Sequence, residues 1–480
     1  MCQKNLSTGA LSILFSILAT SALSAAAIKV KIVGNDTAQT SHDIATIAAD
    51  LDAMLKASSG YIGSTATASV SPGRSLVEAF YSPSNRSWLR GILSTKYDYL
   101  VILPELGYYE YLPEVTFDGV LQMSRMALDA GSTPLLLMPR GTTLPIGTVG
   151  GNSYRIANGC GIEVAPGGYA VDSQSGLSSP TTTRDTRRQA YLLAATLYTK
   201  ITGLNAASST TYIPTDDVGS ALDVSTLAGK AVTAVNTHAT TNHYTTSRHN
   251  SGAIRYRTIT PPNNTVRYLF GGTSTEGGFN DKLSQIITAS GHVSGGNKPT
   301  TQQTFPPDVF NALKPNFDAY KNEYLITYWR LELSYPWTIQ VQAQDVINYN
   351  QSNIMPIAFD KHDQTRIASG LRSVDQMLNC LYDGCEANLY THKYYSWRVI
   401  PVHLASARLA FIDPNIIFSH DDQHMSGSHY NMMAAMMYTS ALGKDPTPPA
   451  AVLANASDLK AFNLGVKTTK ELAFLSETMA

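Results

Sequence analysis

Apolar positions along the chain fall into two alternating patterns. Short runs rich in Val, Ile and Leu read as strands covered on both faces, and longer stretches with apolar residues three and four apart read as helices. The first such pair is IKVKIV at 28–33, followed by Gly34-Asn35-Asp36-Thr37 and a helical stretch over 44–55. Much later, VRYLF at 266–270 runs into Gly271-Gly272-Thr273-Ser274-Thr275 and a helix-like stretch over 281–287. Both read as strand, glycine-containing turn, helix.

Further matches follow in the same order. YDYLVI at 97–102 answers NEYLIT at 322–327, and STPLLL at 132–137 answers NIMPIA at 353–358. IEVAP at 162–166 answers WRVIP at 397–401. The closest pair ends each series: AATLYTKITG at 194–203 beside AAMMYTSALG at 434–443, each finishing in a glycine suited to a helix C-cap. One more amphipathic helix is expected after each, over 223–236 and 458–474. Strands alternating with helices predict parallel βαβ units. The expected fold class is therefore α/β, with two tandem three-layer α/β/α domains built on mainly parallel sheets.

The domains are drawn at 28–238 and 265–480. Between them, 239–264 is rich in Thr, His and Asn, contains Pro261-Pro262 and reads as a linker. Residues 173–183 read as an exposed loop in the first copy, and 291–307 as its loop-rich counterpart in the second. Ahead of both copies, Lys4, an apolar run over 11–19 and the small residues Ser24-Ala25-Ala26-Ala27 have the layout of a secretory signal peptide over 1–27. A secreted or periplasmic location is expected, with no membrane span in the mature protein.

Composition narrows the partners. Net charge is -1 and only 15% of residues are charged. No basic field exists to recruit nucleic acid or anionic lipid. Of the four cysteines, Cys2 belongs to the leader, and Cys380 and Cys385 close a short loop around Asp383-Gly384 that reads as a local disulfide in an oxidising compartment. Cys160 is left unpaired and is expected to be buried rather than reactive. Without a CxxC pair, structural zinc is not expected.

Two features of the second copy could carry chemistry. Ser274 follows an apolar strand on a glycine-flanked turn, at the carboxyl end of the sheet where ligands bind in such folds. A helix-capping serine has the same local pattern. Ser419-His420-Asp421-Asp422-Gln423-His424-Met425-Ser426-Gly427 precedes the last long helices. There a carboxylate three residues ahead of a histidine could orient it as a base for a serine. A solvated acidic loop is the alternative.

Ser274 after the first strand, Asp421-x-x-His424 before a late helix, and Gly427 and Tyr430 leading into an Ala-rich helix together resemble the SGNH (GDSL-like) hydrolase family. The resemblance covers most of 265–445, and 28–205 more weakly. It implies a flavodoxin-like fold, with Ser274 as nucleophile, His424 as general base and acid, and Asp421 as its orienting partner. It also implies ester cleavage through an acyl-enzyme, without a metal or other cofactor. The substrate would be a small-molecule or carbohydrate ester. A non-catalytic extracellular binding or structural protein with two SGNH-like folds is the other reading.

The sequence departs from the family in two ways. The family places an amide after the middle strand to hold the oxyanion, and 325–330 (LITYWR) offers none. Losing such a donor costs about a hundred- to a thousandfold in rate. The second-block glycine could be Gly291, Gly295 or Gly296. In the first copy, Asp36, Thr181 and Arg184 stand opposite Ser274, Asp421 and His424, and the middle strand exits into Pro104-Glu105. That copy is not expected to hydrolyse esters, and its Gly73-Arg74-Ser75-Leu76 turn reads as scaffold.

His420, Asp421, Asp422, His424 and His429 form a ligand-rich cluster that could hold a divalent ion, but the serine pairing accounts for the Asp and one His without it. His238, His243 and His249 read as solvated linker residues, and His362 follows a strand between Asp360 and Asp363. Tyr108, Tyr109, Tyr111, Tyr394, Tyr395 and Trp397 could line a sugar cleft, although packing is the commoner fate of such residues.

Overall fold

The computed structural model describes residues 27–34, 43–105, 113–140, 145–238, 262–266, 268–271, 276–295, 326–329, 357–358, 399–400, 402–413, 415 and 426–477. The N-terminal half is built on five parallel strands: β1 (Lys29–Gly34), β2 (Thr65–Val70), β3 (Tyr99–Leu103), β4 (Thr133–Leu137) and β5 (Glu163–Ala165). Their order across the sheet is β2-β1-β3-β4-β5. Helices α1 (Ile44–Ala57), α2 (Leu76–Tyr81), α3 (Arg86–Leu93), α4 (Pro113–Asp129) and α5 (Ile146–Cys160) link these strands. After β5 come α6 (Gly167–Asp172), α7 (Thr183–Thr202), α8 (Ala206–Ser209) and α9 (Val224–His238).

Strand alternation sends side chains to two cores. Val30, Ile32, Val101, Leu103, Leu135 and Leu137 point to a layer formed by α1, α6, α7 and α9. Val33, Leu100, Ile102 and Leu136 point the other way, toward α2, α4 and α5. Covering both faces is why these strands are almost continuously apolar.

In the C-terminal half the described strands are β6 (Thr265–Val266), β7 (Tyr268–Gly271), β8 (Val293–Ser294), β9 (Ile326–Trp329), β10 (Ile357–Ala358) and β11 (Val399–Ile400). All described pairings are parallel: β6 with β8, β7 with β9, and β10 with β11, while β10 lies against β9. The described helices are α10 (Glu276–Ala289), α11 (Val402–Ile412), α12 (Gly427–Leu442), α13 (Ala450–Leu453) and α14 (Ala456–Glu477).

Helix contacts repeat between the halves. α7 packs on α1, α6 and α9, and α12 packs on α10, α11 and α14. α1 and α10 are each 14 residues long and bury the same positions: Ile47, Leu51, Met54 and Leu55 in one, Phe279, Leu283, Ile286 and Ile287 in the other. α7 and α12 both end on a left-handed glycine, Gly203 (φ 74°) and Gly443 (φ 63°). Each glycine N–H donates to a threonine carbonyl, that of Thr199 or Thr439. A side chain there would strain the backbone, which explains the glycine at both ends.

The halves share a core. α11 lies against α2, and α14 lies against α4 and α5. Phe80 and Tyr81 of α2 meet Phe411 of α11 at ring separations of 5.7 and 5.3 Å. At the centre Arg408 of α11 pairs with the buried carboxylate of Asp118 on α4. The same guanidinium donates to Thr468 Oγ1 (2.9 Å) and Glu471 Oε2 (2.8 Å) of α14. Arg125 of α4 closes the group by donating to Glu471 Oε1 at 3.0 Å. Burial alone would lower the Arg408 pKa, but Asp118, then Tyr81 and Glu471, hold it above its ordinary value. One face of the first sheet's helices thus meets the opposite face of the second sheet's helices.

Some expectations shift. The helix after β7 begins at Glu276 rather than near 281, and of the strand expected over 322–327 residues 322–325 lie outside the described residues. The 173–183 stretch is a loop up to Thr182 but is not wholly exposed: Leu177 is fully buried, and its carbonyl accepts from Gln189 Nε2 at 3.0 Å. The leader at 1–26, the bulk of the linker and the Cys380–Cys385 loop lie outside the described residues.

Candidate active site

Ser274, Asp421 and His424 lie outside the described residues, and so do Asp36, His420, Asp422 and the two tyrosine clusters. The elements on either side of the predicted triad are described. In sequence, Ser274 stands between Gly271, which ends β7, and Glu276, which begins α10. His424 stands two residues ahead of Ser426, the N-cap of α12, whose side chain accepts from the His429 backbone N–H.

Contacts at the far ends of these helices fix their direction. α10 leaves the carboxyl end of β7 and must return to the amino end of β8, which runs parallel to β6. Ser290, between α10 and β8, accepts from the Thr447 N–H at 2.9 Å and bonds the Tyr438 side chain. Tyr438 is in the last turns of α12, so that helix also ends at the amino edge of the sheet. Both α10 and α12 therefore start at the carboxyl edge. In the N-terminal half Lys200, near the end of α7, pairs with Glu163 at the start of β5 (2.9 Å) and sets the same direction.

A serine–histidine pair does occur among the described residues, but not as a nucleophile and base. Ser406 Oγ and His429 Nε2 are 3.0 Å apart, and both residues are buried. The Ser406 hydroxyl donates to the Val402 carbonyl at 2.9 Å, one helical turn back. Its proton is thus committed to the backbone, leaving His429 Nε2–H to donate to the serine oxygen. The pair ties α11 to α12. His429, one member of the ligand-rich cluster in the sequence, faces the core.

The carboxyl edge of the first sheet shows what occupies the equivalent positions there. Thr181 is exposed just ahead of the α7 cap, Thr182. Arg184 lies in the first turn of α7 and pairs with Asp216. The 73–76 turn is a scaffold: Gly73 has φ 85°, Ser75 accepts from the Glu78 N–H, and Glu78 accepts from the Arg74 N–H. Pro104-Glu105 supplies a further feature of this edge. Glu105 is buried, and its oxygens accept from the Leu76 N–H and the Thr116 hydroxyl, each at 3.3 Å. Burial pushes its pKa up to about 7, against those hydrogen bonds, which pull it down. A carboxylate placed directly behind a run of buried strand residues was the available signal.

Cys160, at the end of α5, is free and partly buried, and burial raises its thiol pKa well above the ordinary range. Among the described residues no three His, Cys, Asp or Glu side chains gather as a metal site would need. None of their helices is long and apolar enough to cross a membrane. No protein-family model and no characterised protein matches the chain.

Proposed function

We propose that the C-terminal half is a serine esterase of the SGNH type, acting on small-molecule or carbohydrate esters in an exported chain. One observation carries the reading. α10 and α12 begin at the same edge of the second sheet, and Ser274 and His424 stand within two residues, in sequence, of the Glu276 start and the Ser426 cap. Parallel sheets bind ligands at that edge.

In this reading the Ser274 hydroxyl attacks the ester carbonyl while His424 takes its proton. The same proton passes to the departing alcohol, leaving the acyl group on Ser274. Water, deprotonated by His424, then releases the acid, and Asp421 keeps the imidazole oriented throughout. The N-terminal half has no part in these steps, because Arg184 is held by Asp216 where the histidine would stand.

Hydrolysis of short-chain aryl esters and acetylated sugars by the wild type and S274A is the test. The variant is expected to lose about a thousandfold or more in kcat. Equal activity, or equal inertness, ends the esterase reading. Labelling of Ser274 by a fluorophosphonate probe would instead eliminate the non-catalytic binding role.

A further inference from the structure

We propose that the N-terminal half acts as a positioning wall for the C-terminal half. It fixes α11, and α11 fixes the first turn of α12 through the Ser406–His429 pair. The part of the inference that concerns turnover rests on the esterase reading, while the mechanical part does not.

The geometry begins with two polar residues on one apolar helix. Ser406 and Arg408 are two positions apart on α11, about 200° around the axis, so they face nearly opposite ways. The Arg408 side looks at the N-terminal half, where Asp118 takes one arm of the guanidinium and Phe80 and Tyr81 pack on Phe411. Tyr81 is also hydrogen-bonded to both members of that ion pair. A planar fork held by several acceptors resists both rotation and sliding of the helix that carries it.

The Ser406 side looks at α12. There His429 Nε2–H meets the serine oxygen at 3.0 Å, while the His429 backbone N–H donates to the cap, Ser426 Oγ, at 3.3 Å. One residue thus joins α11 to the capped start of α12. An apolar residue at 429 could fill the same volume without fixing a direction. His429 and Arg408 are accordingly positioning residues, acting on the start of the helix that follows Asp421 and His424 in sequence.

The test uses the full chain. In D118N and S406A, amide exchange at Tyr430 to Met433 is expected to accelerate tenfold or more. Exchange at Met436 to Thr439, and at Ala190 to Leu193 of α7, should stay as in the wild type. H429Q, whose side-chain amide can still donate to Ser406, should exchange like the wild type, and H429L like S406A. In ester hydrolysis S406A is expected to lose at least fivefold in kcat with KM unchanged, and H429Q to retain kcat. Acceleration spread evenly along α12, or none, overturns the proposal, as does an unchanged kcat in S406A of an active enzyme. Should wild type and S274A be equally inert, the esterase reading alone fails and exchange still decides the wall.

Discussion

The helix that closes each half starts at a different place. α7 has 20 residues and α12 has 16, and both end on the same kind of left-handed glycine. The extra turn of α7 is therefore at its beginning, and it takes up Arg184, the residue as far ahead of Gly203 as His424 is ahead of Gly443. In the N-terminal half that position is helical and bound to Asp216. In the C-terminal half the matching helix, α12, starts at Gly427 with Ser426 as its cap. The extra turn of α7 thus places an ion pair, Arg184 with Asp216, where the esterase reading puts its base.

The sharpest way to break this comparison is to remove the matching residues. H424A is expected to abolish ester turnover, by a thousandfold or more in kcat, whereas R184A should leave it within about twofold. Comparable losses in both would mean that the halves share one site.

Next in size is the junction. Truncating Arg408 to Ala leaves Asp118 buried without its cation, and about 3–5 kcal/mol of stability should be lost in denaturant unfolding. Replacing Arg188, whose pair with Asp223 is partly exposed, should cost under about 1 kcal/mol. If the two costs matched, the junction would not be the shared anchor of the halves.

Glu105 gives a pH-dependent contrast. Its folded pKa of about 7 lies above the ordinary 4.5. Between those values the folded state keeps a proton that the unfolded chain has released, so stability falls as pH rises through that window. Below the window both states hold the proton, and above it neither does. The difference in unfolding free energy between E105Q and wild type should therefore change by about 3 kcal/mol between pH 4 and pH 8, with E105Q gaining at high pH. A flat difference would show that Glu105 is not the buried acid that marks the first sheet's edge. Smallest of all, G203A and G443A should each cost about 1–2 kcal/mol, and by similar amounts if the two caps are equivalent.

What the sequence revealed was local. The AATLYT and AAMMYT helices, their glycine caps and the parallel strands are written in short-range patterns, and these elements were readable. α10 starts earlier than its apolar periodicity suggests, because Gly277 and Gly278 are poor helix formers that hide its first turn. Leu177 looked like part of a polar loop because its neighbours are Ser, Gly and Thr, although the chain turns it inward. The junction was not legible at all. Asp118 and Arg408 each look like an ordinary polar position on a helix, and nothing within a few residues of either reports a partner 290 positions away. Ser274, Asp421 and His424 could be proposed only from spacing and resemblance.

The separation of Asp118 and Arg408 also bears on how the chain is made. By residue 238 the first sheet has all five strands and helices on both faces, so it can form while synthesis continues. Its α2, α4 and α5 surface, with Asp118 in the middle, must then wait for α11 and α14. Until they arrive it presents apolar surface and a carboxylate still without its arginine to whatever is nearby. Assembly of the second half on the first is thus the late, long-range step, and the nascent chain is most open to holding factors or to aggregation while that surface waits.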